Sequence, residues 1–455
     1  MRKSWIVVVA LAGLASCSSQ APEVAAAPVG HEVGPRFITL GTDALDAAEV
    51  AAASHGHVLR VLEEVGDVSV VQIDAQDLGA LAAQIHARHD RCGGFELHAS
   101  LAEAREAALT AHADAARRPG FDYSIDHEHD VRAALPALSA QRIRATIGEL
   151  SGMQNRYYQS KTGAAASMWL HDLWRSLSPR KDVTVELLET GYAQKSVVLT
   201  IPGTVHPEQV VVLGGHLDSI AIGGTSSVAP GADDDASGIA TLTEVARVLL
   251  AGDYRPSRTI QIMAYAAEEV GLRGSLKIAR DYQRRKVNVI GALQLDMTNY
   301  QGSEKDIYLM KDFTSAAQNT FLAQLIEHYV GASWDFSACG YACSDHAAWH
   351  RIGVPASMPF EAKMKDANRF IHTNKDTLET SRGNAEHAVK FARLAAAYAI
   401  EMAKGELRRV PPAAAPELRT ASAPTHAPGH PLAALAVLML VASAWALRAA
   451  LARTA

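Results

Sequence analysis

The sequence predicts an α/β fold: a mixed, mainly parallel β-sheet covered by helices on both faces, of the zinc-exopeptidase or phosphorylase/hydrolase-like kind, preceded by a small α+β ferredoxin-like unit. Three observations predict it. Several runs rich in apolar and β-branched residues lie between positions 181 and 297, with helical patterns between some of them; continuous apolar strands alternating with helices mark a sheet buried on both sides. Residues 35 to 100 carry a separate β-α-β-β-α-β order, the order of a ferredoxin-like sandwich. At 455 residues the chain is longer than one domain usually is.

Taken in order, residues 1–17 read as an export signal. Arg2 and Lys3 precede an apolar run from Trp5 to Leu14, followed by small residues. "LASC", ending at Cys17, also resembles a bacterial lipobox, in which the cysteine would be acylated; an ordinary cleaved signal is the alternative. The rest of the chain is therefore expected to be exported, either secreted or attached to the cell envelope. Residues 18–119 hold the small α+β domain. Its strands are "RFITL", "HVLRVLEEV", "DVSVVQID" and "GFELHA", and its helices are "ALDAAEVAAASHG" and "AQDLGALAAQIHARHD". It contains no cluster of catalytic groups, so it is expected to be a propeptide, with a permanent accessory domain as the alternative.

Residues 120–405 form the main domain, with strands in "KDVTVELLETG", "KSVVLTIPG", "EQVVVLGGHLDS", "RTIQIMAYAAEE" and "VIGALQLDM". The segment "SGIATLTEVARVLLAG" is a helix with Ile239, Leu242, Ala246 and Leu249 on one face. Residues 406–430 form a Pro/Ala-rich linker. Residues 431–455 contain an apolar run from Leu432 to Leu447 with Arg448 and Arg453 behind it. That run is shorter than the ~20 residues a spanning helix needs, so it is expected to be a transmembrane anchor extended by its flanks or a sorting tail. A net charge of −6 without basic blocks excludes a nucleic-acid partner. Small or peptidic partners and a monomer are expected.

Ligands of such sheets bind beyond the carboxyl ends of the strands, and chemistry-bearing residues gather there. "VVVLGGHLD" delivers His216 and Asp218, "TIQIMAYAAEE" delivers Glu268 and Glu269, and "GALQLDMTN" delivers Asp296. "GADDDASG" places Asp233, Asp234 and Asp235 in the loop before the Ile239 helix. So many carboxylates on one rim require cations. Imidazole and carboxylate ligands without thiolate suit zinc, manganese or iron, and a carboxylate can bridge two ions. Of the adjacent glutamates one can ligate while the other remains free as a base, and Asp218 can accept the second N–H of His216.

From Ser151 to Gly405 the chain resembles the secreted bacterial leucyl aminopeptidases with two co-catalytic zincs, a branch of the zinc exopeptidases. The resemblance is carried by "GGHLDS", "APGADDDASG", "MAYAAEEVGLRGS", "LQLDMTNY", "CGYACSDHAAWH" and "IHTNKDT". It implies one Zn2+ held by His216 and Asp296 and a second by Glu269 and His372. Asp234 would bridge them and be joined to Asp235 by a cis peptide. It further implies that Glu268 is the general base, acting on a water shared by the zincs, and that Asp218 lies behind His216. The substrate would be a peptide with a free N-terminus. Met297, Cys339, Tyr341, Cys343, Met358, Phe360 and Ile371 match the family's pocket for a large apolar first side chain, preferably Leu. Met364 stands where the family has a Phe. In an exported protein the short spacing of Cys339 and Cys343 reads as a disulfide. Other chemistries on the same fold are the alternatives: a carboxypeptidase, an amidohydrolase, a glutaminyl cyclase, or a non-catalytic binding module. No role follows for Asp233.

Overall fold

The computed structural model describes residues 34–89, 91, 93–110, 123–221 and 224–410. The signal with Cys17, the apolar segment 432–447 and Cys92 lie outside the described residues.

The N-terminal unit runs β1 (Pro35–Gly41), α1 (Leu45–Ser54), β2 (Arg60–Val65), β3 (Val68–Asp74), α2 (Leu78–His89), β4 (Phe95–His98) and α3 (Leu101–Thr110). Its sheet is antiparallel in the order β2-β3-β1-β4, as the β-α-β-β-α-β pattern predicts. The β2–β3 turn falls at Gly66, whose φ of +63° few other residues adopt cheaply. One sheet face, with Ile38, Leu40, Val71 and Ile73, packs on Ala47, Ala51, Leu78, Leu81 and Ile85 of α1 and α2. The other face meets α3, a helix beyond the expected pattern, through Val70, Ala104 and Ala108.

The main domain opens with α4 (Glu128–Ala134), α5 (Ala140–Ser151) and α6 (Lys161–Ser176), then β5 (Thr184–Leu188), β6 (Ser196–Ile201), β7 (His206–His216), α7 (Ala236–Ala251), β8 (Arg255–Pro256), β9 (Arg258–Tyr265), α8 (Arg273–Arg285) and β10 (Asn288–Gln294). It continues through β11 (Ile307–Met310), α9 (Ala316–Leu325), β12 (Trp334–Ser337), α10 (His346–Arg351), β13 (Ala356–Ser357), β14 (Pro359–Phe360), α11 (Ala388–Ala403) and β15 (Gly405–Glu406). The central sheet has the order β13-β10-β7-β9-β6-β5. Its first four strands are mutually parallel, and β6 runs antiparallel to its neighbours β9 and β5. Alternation along β7 and β9 explains the two covered faces. Val211, Leu213, Ile260 and Ile262 enter the core shared with α5, α7 and α11, whereas Val210, Val212, Met263 and Tyr265 enter the core shared with α8 and α10. Helix α7 is buried nearly all round, more than its one apolar face predicts, because α5 and α11 close over the side turned from the sheet.

The N-terminal unit sits on the carboxyl ends of these strands. Its α1/α2 core continues into Tyr157, Tyr158, Ile220, Ala267 and Val270 of the main domain, and Glu96 and Glu103 pair with Arg351 and Arg280. No helix among the described residues is long and apolar enough to cross a membrane.

Candidate metal centre

Three strands of the parallel core, β7, β9 and β10, end in residues that face one buried point. His216 is the last residue of β7, Glu268 and Glu269 follow β9, Asp296 follows β10, Asp234 precedes α7, and His372 lies in the loop after β14. The backbone is left-handed at Ala267, Met297 and His372, with φ of 58°, 59° and 55°. Non-glycine residues seldom adopt this region, and it concentrates where side chains must be aimed. The ligand atoms fall into two groups, His216/Asp234/Asp296 and Asp234/Glu269/His372, each within 4.8 Å of one another.

Asp234 belongs to both groups. Its Oδ1 lies 2.9 Å from His216 Nε2 and its Oδ2 lies 3.2 Å from His372 Nε2. Asp296 Oδ1 is 3.5 Å from His216 Nε2, and Glu269 Oε2 is 2.7 Å from His372 Nε2. The Asp234–Asp235 peptide is cis, as the resemblance implies. Asp235 accepts from the backbone N–H of Gly238, His216 and Met297. It thereby caps α7 and ties its first turn to the ends of β7 and β10.

Asp233, for which no role was expected, accepts from Asn299 N and Asn368 Nδ2 and so links the loop after Asp296 to the one that carries His372. Asp218 lies behind His216 and also does more than was expected of it. The nearest oxygen to His216 Nδ1 is the backbone carbonyl of Asp218, at 3.2 Å, with its carboxylate at 3.5 Å. The carboxylate also accepts from the N–H groups of Glu268 and Glu269, at 3.0 and 3.2 Å. Asp218 therefore holds the turn that presents both glutamates.

The electrostatics call for positive charge. Burial drives the Glu268 carboxyl well above its ordinary range, with His216 opposing the shift and Asp345 and Glu269 adding to it. Burial likewise pushes Glu269 up to about 7 and Asp345 to about 7. Burial opposes protonation of His372, yet Glu269 and Asp234 outweigh it and raise this imidazole to about 10. Both oxygens of Glu268 and Oδ1 of Asp296 are buried without a hydrogen-bond partner. Buried carboxylates that draw protons onto their histidines, with acceptors left over, are a donor set suited to cations of the zinc type.

Three buried residues escaped the sequence reading. Arg156 is fully buried and donates to the carbonyls of Leu217, Leu150, Pro230 and Gly231, which places a fixed cation behind the aspartates. Asp376 accepts from the N–H groups of Asp233 and Asp234. Asp345 accepts from Gln294 Nε2. The two aspartates stand inside "IHTNKDT" and "CGYACSDHAAWH", so their motifs were visible although their roles were not.

Beside the carboxylates lies a cavity of about 480 Å3 lined by Asp296, Met297, Cys339, Cys343, Met358, Phe360, Met364 and Ile371, among others. All seven expected pocket residues gather in one apolar cluster, with Met364 at its edge. Cys339 and Cys343 form a disulfide. The N-terminal unit enters the same cavity with His86, His89 and Arg91. The His86 ring stands 4.7 Å from that of His372, and the Arg91 guanidinium lies 5.2 Å over the Tyr341 ring.

Comparison with known proteins identifies the family. The profile of peptidase family M28 matches residues 196–398. Leucine aminopeptidase 1 of Coccidioides posadasii is 34% identical over 303 residues, 63% of this chain and 77% of that protein. The protein of the same name from Emericella nidulans is 32% identical over 319 residues, 67% of this chain and 81% of its own length. Among solved structures, LapB from Legionella pneumophila superposes with a TM-score of 0.70 at 28% identity, over 82% of this chain and 100% of its own. The LapA aminopeptidase of the same organism gives 0.69 at 28%, over 82% of this chain and 99% of its own. The chain belongs to peptidase family M28, as a metallo-aminopeptidase.

Proposed function

We propose that the protein removes an N-terminal leucine, or another large apolar residue, from peptides with a free N-terminus, using two zinc ions, and that it works outside the cytoplasm once its N-terminal unit has been displaced. The observation that carries this reading is the position of Asp234, one carboxylate oxygen toward each histidine and a member of both ligand groups. His216 and Asp296 would hold one ion, Glu269 and His372 the other. Zinc, when bound, supplies a Lewis acid that acidifies water and polarises a carbonyl.

The chain's own residues do the rest. Glu268, buried and with both oxygens unengaged, takes a proton from the attacking water and returns it to the departing amine as the peptide C–N bond breaks. Asp218 fixes the turn that aims it. The carboxylates of the rim receive the substrate's α-ammonium, which restricts cleavage to the chain's first residue. Met297, Met358, Phe360 and Ile371 take the first side chain; thioethers adapt to unbranched and branched aliphatic shapes alike.

Two observations support a covering role for the N-terminal unit: His86, His89 and Arg91 line this cavity, and the apolar contact reaches Ala267, the residue before Glu268. The export signal supports action outside the cytoplasm, with attachment through Cys17 or the C-terminal apolar segment.

The test is hydrolysis of leucine p-nitroanilide by the zinc-loaded full chain, before and after limited proteolysis, with and without a strong chelator. Turnover that appears on proteolysis and disappears with chelator is expected. Chelator-insensitive turnover refutes the metal reading, and equal rates before and after removal of residues 35–100 refute the covering role.

A further inference from the structure

We infer that Lys365 and Arg369 form a basic rim that selects substrates bearing a carboxylate just beyond the N-terminal residue, either an acidic side chain or the C-terminus of a short peptide. The inference rests on the aminopeptidase reading above and names the substrate class of that site.

The cavity beside the metal ligands has an apolar floor, and Asp296 is the one carboxylate among its described lining residues. Its other charged lining residues from the main domain are Lys365 and Arg369, both exposed. Neither makes an ion pair among the described residues, whereas nearby cations are engaged: Lys363 lies over the Tyr308 ring and Lys390 pairs with Asp306.

The backbone that carries the two cations is fixed. Met364 packs against the apolar cluster. Lys363 N donates to Ser303 Oγ, which donates in turn to Asp366 Oδ2. Asn368 Nδ2 donates to Asp233 and Asp376, and Asn368 Oδ1 accepts from Phe370 N. Residues on either side of each cation are thus pinned to the pocket wall or to the aspartates behind the metal ligands. The backbone that carries two exposed cations is thus held beside an apolar cavity that both residues line.

The N-terminal unit does not satisfy them. What it brings to the cavity among the described residues is His86, His89 and Arg91, and the acidic partners of Arg91 and His89, Asp43 and Asp46, serve those residues themselves. The counter-charge of the rim therefore arrives with the substrate. With the first side chain in the apolar cavity and the scissile carbonyl at the metal ligands, the group that reaches the mouth belongs to the following residue. Exposed contacts of this kind are individually weak and salt-sensitive, so the effect is a preference of roughly five- to tenfold.

The test compares kcat/KM of the zinc-loaded full chain, after limited proteolysis, for Leu-Asp-Ala-amide, Leu-Asn-Ala-amide and Leu-Lys-Ala-amide, and for Leu-Asn against Leu-Asn-amide. The asparagine peptide is the reference within each protein. An Asp-over-Lys ratio of about fivefold or more, collapsing in 0.5 M salt and inverting in the K365E/R369E variant, is expected. A preference confined to Leu-Asn over its amide identifies the terminal carboxylate as the group recognised. Equal rates for all five peptides, or a ratio that the double variant and the single R369Q leave unchanged, overturn the inference. Failure to hydrolyse leucine p-nitroanilide at all would sink the aminopeptidase reading and the rim with it.

Discussion

Three adjacent aspartates do three different things. Asp234 spans the two ligand groups, Asp235 ties the start of α7 to two strand ends, and Asp233 fastens the Asp296 and His372 loops together. Asp234→Asn keeps the shape and removes the charge both sites share. Bound zinc is expected to fall from two equivalents per chain to one by elemental analysis, while far-UV circular dichroism stays native. Glu268 behaves differently, since it lies in neither ligand group. Glu268→Ala is expected to lower kcat by a factor of about 10² to 10⁴ and to leave zinc content unchanged. A parallel loss of metal would mean that Glu268 is a ligand rather than a base. The ligands were legible because each follows a strand or opens a helix whose pattern is local in sequence. Asp233 and Arg156 were not, because their partners, Asn299, Asn368, Leu217 and Pro230, are fixed only by the folded loops.

At the scale of elements, the site depends on close approach between α7 and the end of β10. A Cβ on Gly238 would stand 2.2 Å from Leu295 O, and one on Gly215 would stand 2.9 Å from the same oxygen. That backbone oxygen cannot give way without moving Asp296, the next residue. Gly238→Ala is expected to cost about 1–3 kcal/mol, read as a lowered Tm, and to weaken zinc binding as well; unchanged melting and metal content would show that the contact has slack. The strands were readable from their apolar runs, and the N-terminal sandwich from its turns. Helix α3 was missed because its alanine-rich face packs on the second face of a sheet whose neighbour the pattern did not reveal. The depth of α7 escaped for a related reason: a single apolar stripe predicts one buried face, and tertiary packing by α5 and α11 buries the others.

Across the whole molecule, the N-terminal unit and the main domain share a buried contact that contains titratable groups. Burial, with Arg351 and Arg280 adding to it, holds the His98 imidazole down to about 3, and it bonds to Thr39 in the sheet. A group whose pKa is lower folded than unfolded contributes stability that is complete above the unfolded value of 6.5 and is lost as pH falls toward about 3. The buried imidazoles of His346 and His387, held near 3 and 4 chiefly by burial, act in the same direction. Between pH 6.5 and pH 4 the Tm of the full chain is therefore expected to fall more steeply, or rise less, than that of His98→Gln; equal slopes in the two proteins would contradict this. The most direct test of the two-ion site is a titration of chelator-stripped full chain with zinc, following bound metal by elemental analysis and, after limited proteolysis, leucine p-nitroanilide turnover. Two equivalents per chain in the wild type, with loss of the second and of turnover in Asp234→Asn, are expected. Saturation at one equivalent, or full turnover in the metal-free protein, would contradict a pair of cations bridged by Asp234.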